Sequence, residues 1–511
     1  MESRISLNKF VYIYLALPVI IFMLTWIRPS VGIPAALLVG FGVYLADKKA
    51  DICSIKFSRC TIIITIAIAF AWCFFAGQGG FWYQSDDHIY RNAIFRDLVN
   101  FSWPVVYEEH DVLMNYYIGY WLVPALFGKF ALFIFHNAVV AWLTAKIALL
   151  LWSTISITLC FLLLVNILQV KYKRQFYIAI LFFILFSGLD IVGIYLTNGT
   201  AGLHLEWWAK RYQYSSFTTC LFWVFNQAVP AWIATLLLLY DRRVENFAFC
   251  GLCIFISSPI PLIGLLPIYV VIGVQELIKS KEKIAFVRKI FSLQNMIACL
   301  IIFPICLVYY SNNSAVRKDI PVVNKAITVE KSDNTEVQSS AVQPAPEKKT
   351  LSKILIKKAK TAVRFGTFYM LEAGIYLVLL LKKHKKSLLF WCLVFELLTI
   401  PFIHIGRAVD FAMRASIPPL VVLMTMVFDD FYQNYEKKSY KFILYCVILA
   451  FAILTPGKEF YRGAFEIYKN KKFENNTLLS IEKMIKPDKR WNNFIAYDYS
   501  QTLFYKYLAK K

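Results

Sequence analysis

The stretch QSDDHIYRNAIFRDLVNFSWPVVY, Gln84 to Tyr107, sets two carboxylates and an imidazole in direct succession at Asp86, Asp87 and His88. A carboxylate in such company either takes a proton from an attacking group or stabilises charge as it develops. Adjacent acids also repel, so partial desolvation raises one of the two pKa values towards a useful range. The plainer alternative is that Ser85 or Asp87 only caps the helix that follows, its side-chain oxygen accepting from orphan N–H groups. Two further polar stretches carry similar residue types. TAGLHLEWWAKRYQYSS contributes His204, Glu206, Trp207, Trp208, Lys210 and Arg211, and HIGRAVDFAMRASIPPL contributes His404, Arg407, Asp410 and Arg414. Asp190, in SGLDIVGIYL, falls near the end of an apolar run. An ionised Asp costs less there than the roughly 2.5–3.5 kcal/mol it costs at the centre of a span.

The elements that must position these groups follow from composition. A chain of 511 residues that is 59% hydrophobic and 17% aromatic, with a mean hydropathy of +0.56, does not have the make-up of a soluble globular protein. Apolar runs long enough to cross a bilayer recur along it, and in lipid only helices satisfy their own backbone. The expected fold class is therefore all-α, a polytopic transmembrane helical bundle; a β-barrel would need a period-2 alternation that is missing. Thirteen spans are expected, at 11–27, 31–47, 60–77, 140–168, 175–197, 217–240, 246–258, 259–276, 294–311, 365–381, 387–403, 415–429 and 440–456.

The segment 112–135 is apolar enough to be a fourteenth span, and the basic loops argue against it. With 112–135 kept at the outer interface, the clusters Lys48–Lys49, Lys171–Arg174, Arg242–Arg243, Lys279–Lys283, Lys382–Lys386 and Lys437–Lys441 all fall inside, as positive-inside asymmetry requires. The resulting order is three spans in 1–77, an outer loop at 78–139, a bundle at 140–311, a flexible basic outer loop at 312–364, a second bundle at 365–456 and a C-terminal outer segment at 457–511. The N-terminus reads as a retained first span. Tyr116 to Phe135 are expected as surface or re-entrant helices. The helix after Asp87 is expected on the membrane surface, with Ile89, Ala93, Ile94 and Leu98 on one side and Arg91, Asn92, Arg96 and Asp97 on another.

The net charge of +23, from 55 Lys and Arg against 32 Asp and Glu, suits anionic headgroups, and no nucleic-acid partner is expected. The 11 cysteines lie mostly in or beside apolar segments, and Cys250 and Cys253 read as packing rather than as metal ligands. Neither a phosphate-binding glycine loop nor HExxH is present, which argues against ATP hydrolysis and zinc proteolysis. No cofactor is implied, and no motif indicates a metal site or a divalent ion.

On this topology the polar stretches gather on the outer face, together with five of the 6 histidines. The chemistry that uses acids, cations and aromatic planes together at a membrane surface is group transfer from a lipid-linked donor. A carboxylate deprotonates the acceptor, guanidinium groups meet a phosphate leaving group, and aromatic faces hold sugar or lipid. Asp86 and Asp87 are the candidate catalytic acids; His88, Glu206, Trp207, Arg211, Arg407, Asp410 and Arg414 are the candidate substrate-binding residues. Trp207 and Trp208 also suit an interfacial aromatic belt, and Arg414 a helix-end anchor.

The acidic pair before a helix, followed by Trp103-Pro104 and YYIGYWLVPALFGK, resembles the C-type glycosyltransferase superfamily of polytopic membrane enzymes, which includes lipid A aminoarabinose transferases and protein mannosyltransferases. SGLD, EWWA, QYSS, VFNQAVPAW and DFAMRASIPPL resemble segments of uncharacterised bacterial members. The resemblance spans roughly residues 60–430 and is sharpest in the first loop, where Asp86-Asp87 stands in place of the commoner Asp-Glu. It implies a catalytic carboxylate at Asp86 or Asp87, a polyprenyl-phosphate-linked sugar as donor, a glycan, lipid or protein acceptor, and a bacterial inner membrane with the site facing out. A lipid-linked sugar flippase or transporter is the rival reading, followed by a non-catalytic component of cell-surface glycan assembly.

Overall fold

Runs of Leu, Ile, Val, Phe and Ala without charges leave the backbone no partner but itself, and in the computed structural model they are helices. The structure describes residues 7–48, 58–197, 204–315, 351–405, 409–485 and 493–511, with the backbone alone for 351–358. Helices α1 (Leu7–Trp26), α2 (Pro29–Lys48) and α3 (Arg59–Phe75) lead to α4 (His88–Asn100), α5 (Gly119–Phe135) and α6 (Ala138–Ile167). Next come α7 (Lys173–Leu185), α8 (Asp190–Leu196), α9 (Phe217–Tyr240), α10 (Phe247–Cys253), α11 (Pro259–Lys279), α12 (Lys283–Ile290), α13 (Leu293–Ile297) and α14 (Phe303–Ser311). The last third holds α15 (Leu351–Tyr369), α16 (Ile375–His384), α17 (Leu388–Thr399), α18 (Asp410–Ala415), α19 (Ile417–Glu436), α20 (Tyr440–Ala452) and α21 (Leu454–Asn470). Among the described residues the only sheet is three short antiparallel strands, β1 (Val106–Tyr107), β2 (Val112–Met114) and β3 (Ile495–Tyr497), in the order β1-β2-β3.

Nine helices among the described residues are long and apolar enough to cross a membrane, and they coincide with nine of the expected segments. Expected spans at 60–77, 246–258 and 387–403 fall on shorter apolar helices. The one at 415–429 falls on α19, whose far end carries Asp429 and Asp430. At the centre stands α9, buried along almost its whole length. Its Trp232 stacks on Trp72 of α3 at 5.9 Å and meets Phe183 of α7 edge-on. Large side chains such as Phe127, Phe130, Phe133 and Val139 stay exposed, as a surface facing lipid requires.

The connections separate onto two ends. At one end Tyr12 donates to Asp241 at 2.7 Å, Arg243 Nη2 reaches the Ala46 carbonyl at 2.8 Å, and Gln294 donates to Asn246. Lys383 and Lys441 there pair with Asp429 and Asp430 respectively. At the other end lie the loops after α3, α7, α8, α10 and α17, together with the C-terminal segment.

One expectation is refined and one corrected. The segment 112–135, expected outside the thirteen spans as surface or re-entrant helices, is not one continuous helix. It starts as β2, and α5 then packs antiparallel against the first half of α6: Tyr120 hydroxyl meets Ser153 Oγ at 2.8 Å, and a Cβ on Gly128 would lie 2.8 Å from that of Ala145. Second, α4 is buried on its polar side as well as its apolar one, because residues 473–481 lie over it. Asn92 donates to Gln84 at 2.7 Å and to the Asn475 carbonyl at 2.9 Å. Asp97 accepts from Tyr107 hydroxyl at 2.5 Å and from Ile481 N–H at 2.9 Å. The C-terminal segment is thus a cap packed on the bundle, tied by β3 to β2 through Leu113–Ala496 and by Ala509 to Ile27.

Candidate functional site

The loop between α3 and α4 is held by Gln84, whose amide donates to the Gly77 carbonyl at 2.8 Å and whose oxygen receives Asn92 and the Asn475 N–H. The close turn that makes this reach feasible runs through Gly77 and Gly79, at φ of 75° and 77°, where a side chain would be strained. Ser85, buried, then meets His88 Nδ1 at 3.1 Å.

The two acids diverge from this point. Asp86 is three-quarters exposed and lies 3.5 Å from Lys472, a contact worth little in water. Asp87 is half-exposed and pairs with Arg91 at 3.1 Å. Although Asp87 occupies the N-cap position of α4, its side chain caps nothing; the two N–H groups there go to the carbonyls of Ser85 and Asp86. Capping therefore does not account for either carboxylate.

Around Asp87 the structure brings together groups from distant parts of the chain. His88 is fully buried against Phe225, ring centroids 5.8 Å apart; burial, with Arg91 beside it, pushes its pKa down to about 3, so the ring is neutral at physiological pH. Tyr116 lies within the fields of Arg91, Arg414 and Asp87, and burial pushes its phenol up to about 12. Arg414, on α18, is held by Asp410 at 2.9 Å. Burial opposes its charge, but Asp410 and the Tyr116 and Tyr117 phenols outweigh it and raise the guanidinium pKa. Three guanidinium nitrogens, Arg91 Nε, Arg91 Nη1 and Arg414 Nε, are buried without a hydrogen-bond partner among the described residues. Buried N–H donors without acceptors are costly, and charged ones more so. Both arginines act on the one phenol and keep donors that an anion could accept from.

The other candidates play different parts. Glu206 is buried and wrapped by its own loop, accepting from Gln213, from Ser215 Oγ at 2.7 Å and from Ser216 N–H at 2.9 Å. Burial, with nearby Asp190, pushes its carboxyl up to about 8. It holds the loop before α9 in shape. Trp207 is more than half exposed, its ring 4.7 Å from that of His204. Arg211 is exposed and forms no ion pair among the described residues, and Arg407 lies outside them. Exposed Glu109 and His110 approach half-buried Glu482, one ligand atom of each within 4.8 Å of the others; exposed acidic groups cluster in this way without an ion.

Two buried clusters join His204, Asp190 and Trp208, which the sequence singled out, to partners that it did not. In the first, Arg462 of α21 pairs with Glu459 and donates from Nη1 to His204 Nε2 at 3.2 Å. His204 then turns Nδ1 towards Glu459 at 3.2 Å, and Trp223 donates to the same carboxylate at 2.9 Å. Arg462 is also close enough to act on His88. In the second, Trp208 Nε1 lies 3.2 Å from Asp190 Oδ1 and 3.1 Å from Glu372 Oε1, and Thr455 donates to Asp190 at 2.8 Å. Glu372 projects from a π-helical turn, Met370–Gly374, a distortion often found at functional positions. The sequence signal for these partners was weak: EFYRG reads as an ordinary polar helix, and Glu372 as one charge in a long apolar run. No family model, curated protein or solved structure matches this chain.

Proposed function

We propose that this chain is a membrane glycosyltransferase that moves a sugar from a polyprenyl-phosphate-linked donor to a glycan, lipid or protein acceptor. The observation that carries the reading is that Asp87 and Arg91 of one loop and Arg414 of another all act on the Tyr116 phenol, with His88 beside Asp87 and Arg91 and with Asp410 paired to Arg414. In this scheme Asp87 takes the proton of an acceptor hydroxyl as that oxygen bonds to the anomeric carbon. The bond from that carbon to the phosphate oxygen breaks, and its electron pair leaves with the phosphate. Arg91 and Arg414 meet the charge left behind, their unpaired N–H groups then finding acceptors. Asp86, out in solvent beside Lys472, is the less favoured base.

The proposed topology has thirteen spans, the N-terminus inside and the C-terminus outside, in a bacterial inner membrane. Support comes from the gathering of the basic connections at one end of the bundle and of the acidic loop and C-terminal cap at the other. A second reading, a lipid-linked sugar flippase or transporter, is favoured by the broken helix at 186–189 and the Asp190–Glu372 pair beside it, since interrupted helices bearing acids are a transporter feature.

The deciding experiment assays Asp86→Asn and Asp87→Asn for transfer from a polyprenyl-linked sugar, with melting temperature as control. Loss of transfer in Asp87→Asn at unchanged stability is expected. Full transfer in both variants would remove the catalytic reading, and transporter function would take its place.

A further inference from the structure

The richest set of unsatisfied neutral polar groups lies on α9, directly beneath the acid loop. Asn226 is fully buried, yet neither its Nδ2 nor its Oδ1 has a partner among the described residues; the same is true of Gln227 Oε1 and of His88 Nε2. Buried amides are normally paired, and a set of adjacent orphans calls for an explanation.

Contacts on every side tie this strip to the candidate site. Phe225, one residue before Asn226, packs its ring against His88, against Tyr120 at 5.4 Å and against Trp121 at 6.0 Å. The Gln227 carbonyl accepts from Ser258 Oγ at 2.8 Å, and the neighbouring Ile256 carbonyl accepts from Gly119 N–H at 3.2 Å, two residues after Tyr117. A turn earlier, Trp223 meets Glu459 and Arg462, while Cys220 lies within the field of Arg414. Helical geometry fails at Val224, with φ −135° and ψ 32°, so α9 has a joint two residues before the first of the amides.

We infer that Asn226, Gln227 and His88 form a recognition subsite for a hydroxyl-bearing ligand, the sugar end of the donor whose phosphate Arg91 and Arg414 meet. The subsite rests on the glycosyltransferase reading for the identity of that ligand. The chemistry matches: a sugar hydroxyl both donates and accepts. The Asn226 amide offers both functions, Gln227 Oε1 accepts, and the neutral His88 ring offers its unpartnered Nε2. The strip bears no carboxylate or ammonium, so it discriminates by hydrogen-bond pattern, the means by which a buried polar site rejects a ligand lacking the hydroxyl.

The test measures binding of two lipids to the purified full chain, bare polyprenyl phosphate and polyprenyl phosphate carrying mannose, with melting temperature alongside. Asn226→Leu and Gln227→Met remove orphaned polar atoms at nearly constant volume. Each is expected to melt no lower than wild type, to bind bare polyprenyl phosphate as wild type does, and to lose about tenfold in affinity for the mannosyl lipid, the equivalent of one lost hydrogen bond. Arg414→Gln should weaken both lipids together. If wild type prefers the mannosyl lipid and both α9 variants keep that preference, the subsite is overturned while the transferase reading stands. If both variants melt lower with unchanged affinities, the amides hold structural water and the subsite is again overturned. Wild type that binds neither lipid sinks the transferase reading itself, and the subsite with it.

Discussion

Asp97 gives the most direct measure of how the C-terminal cap is fastened over α4. Its carboxylate receives Tyr107 hydroxyl and Ile481 N–H, and burial pushes its pKa from 3.8 up to about 6 despite both bonds. A raised folded-state pKa means that ionisation opposes folding: the stabilisation is complete below the ordinary carboxylate value and is lost as pH rises through the folded value. A shift of about two units at about 1.4 kcal/mol each amounts to about 3 kcal/mol between pH 4 and pH 8. Asp97→Asn removes the titration and keeps an oxygen for one of the two donors, losing about 1 kcal/mol of hydrogen bonding at every pH. The variant should therefore be less stable than wild type by about 1 kcal/mol below pH 4 and more stable by about 2 kcal/mol at pH 8, the curves crossing between about pH 4 and pH 5. For a chain of this length 1 kcal/mol moves the melting midpoint by about 1 °C, so matched thermal scans across pH would resolve the crossing. Hydrogen exchange at residues 477–485 would test whether the cap loosens first. Parallel wild-type and variant curves from pH 4 to pH 8 would refute the reasoning, because the pKa of Asp97 would then be the same in the folded and unfolded chain.

Two further outcomes are expected. Cysteine placed at Lys173 or Arg242, in a background without other reactive thiols, should resist an impermeant reagent added outside; labelling at either position would reverse the proposed topology. Gly264→Ala should lower the melting midpoint and disturb Arg414, because a Cβ there would lie 1.8 Å from the Ala415 carbonyl and overpacking of this kind costs about 1–3 kcal/mol; an unchanged midpoint would mean that α11 and α18 separate easily.

Much of the architecture follows from local properties. A run of some 20 apolar residues has few ways to satisfy its backbone in lipid, so nine of the expected spans fall on long apolar helices. The candidate residues were equally visible, since acids, arginines and histidines stand out against such runs; Asp87 and Arg414 both act on Tyr116, with His88 beside Asp87 and Asp410 paired to Arg414. Glu206 was just as conspicuous, but its oxygens are taken up by Ser215, Ser216 and Gln213. A carboxylate that closes its own loop cannot be told from one that faces a substrate by residue type or spacing.

Hydropathy, helix length and charge asymmetry are sums over neighbouring residues, and the sequence by itself determined what depends on them: a predominantly helical membrane chain and the polar stretches that hold its candidate residues. Partners hundreds of residues apart were decided only by the tertiary structure. The apolar and polar sides of α4 spell a surface helix, yet Asn475 and Ile481 supply the hydrogen bonds that water would otherwise give Asn92 and Asp97, so α4 is buried. Asp86 and Asp87 are the same residue type in adjacent positions, and successive side chains at the start of a helix point in different directions. One therefore faces solvent and Lys472 while the other faces Arg91. That difference depends on where α4 is anchored, which residues 473–481 fix from the far end of the chain.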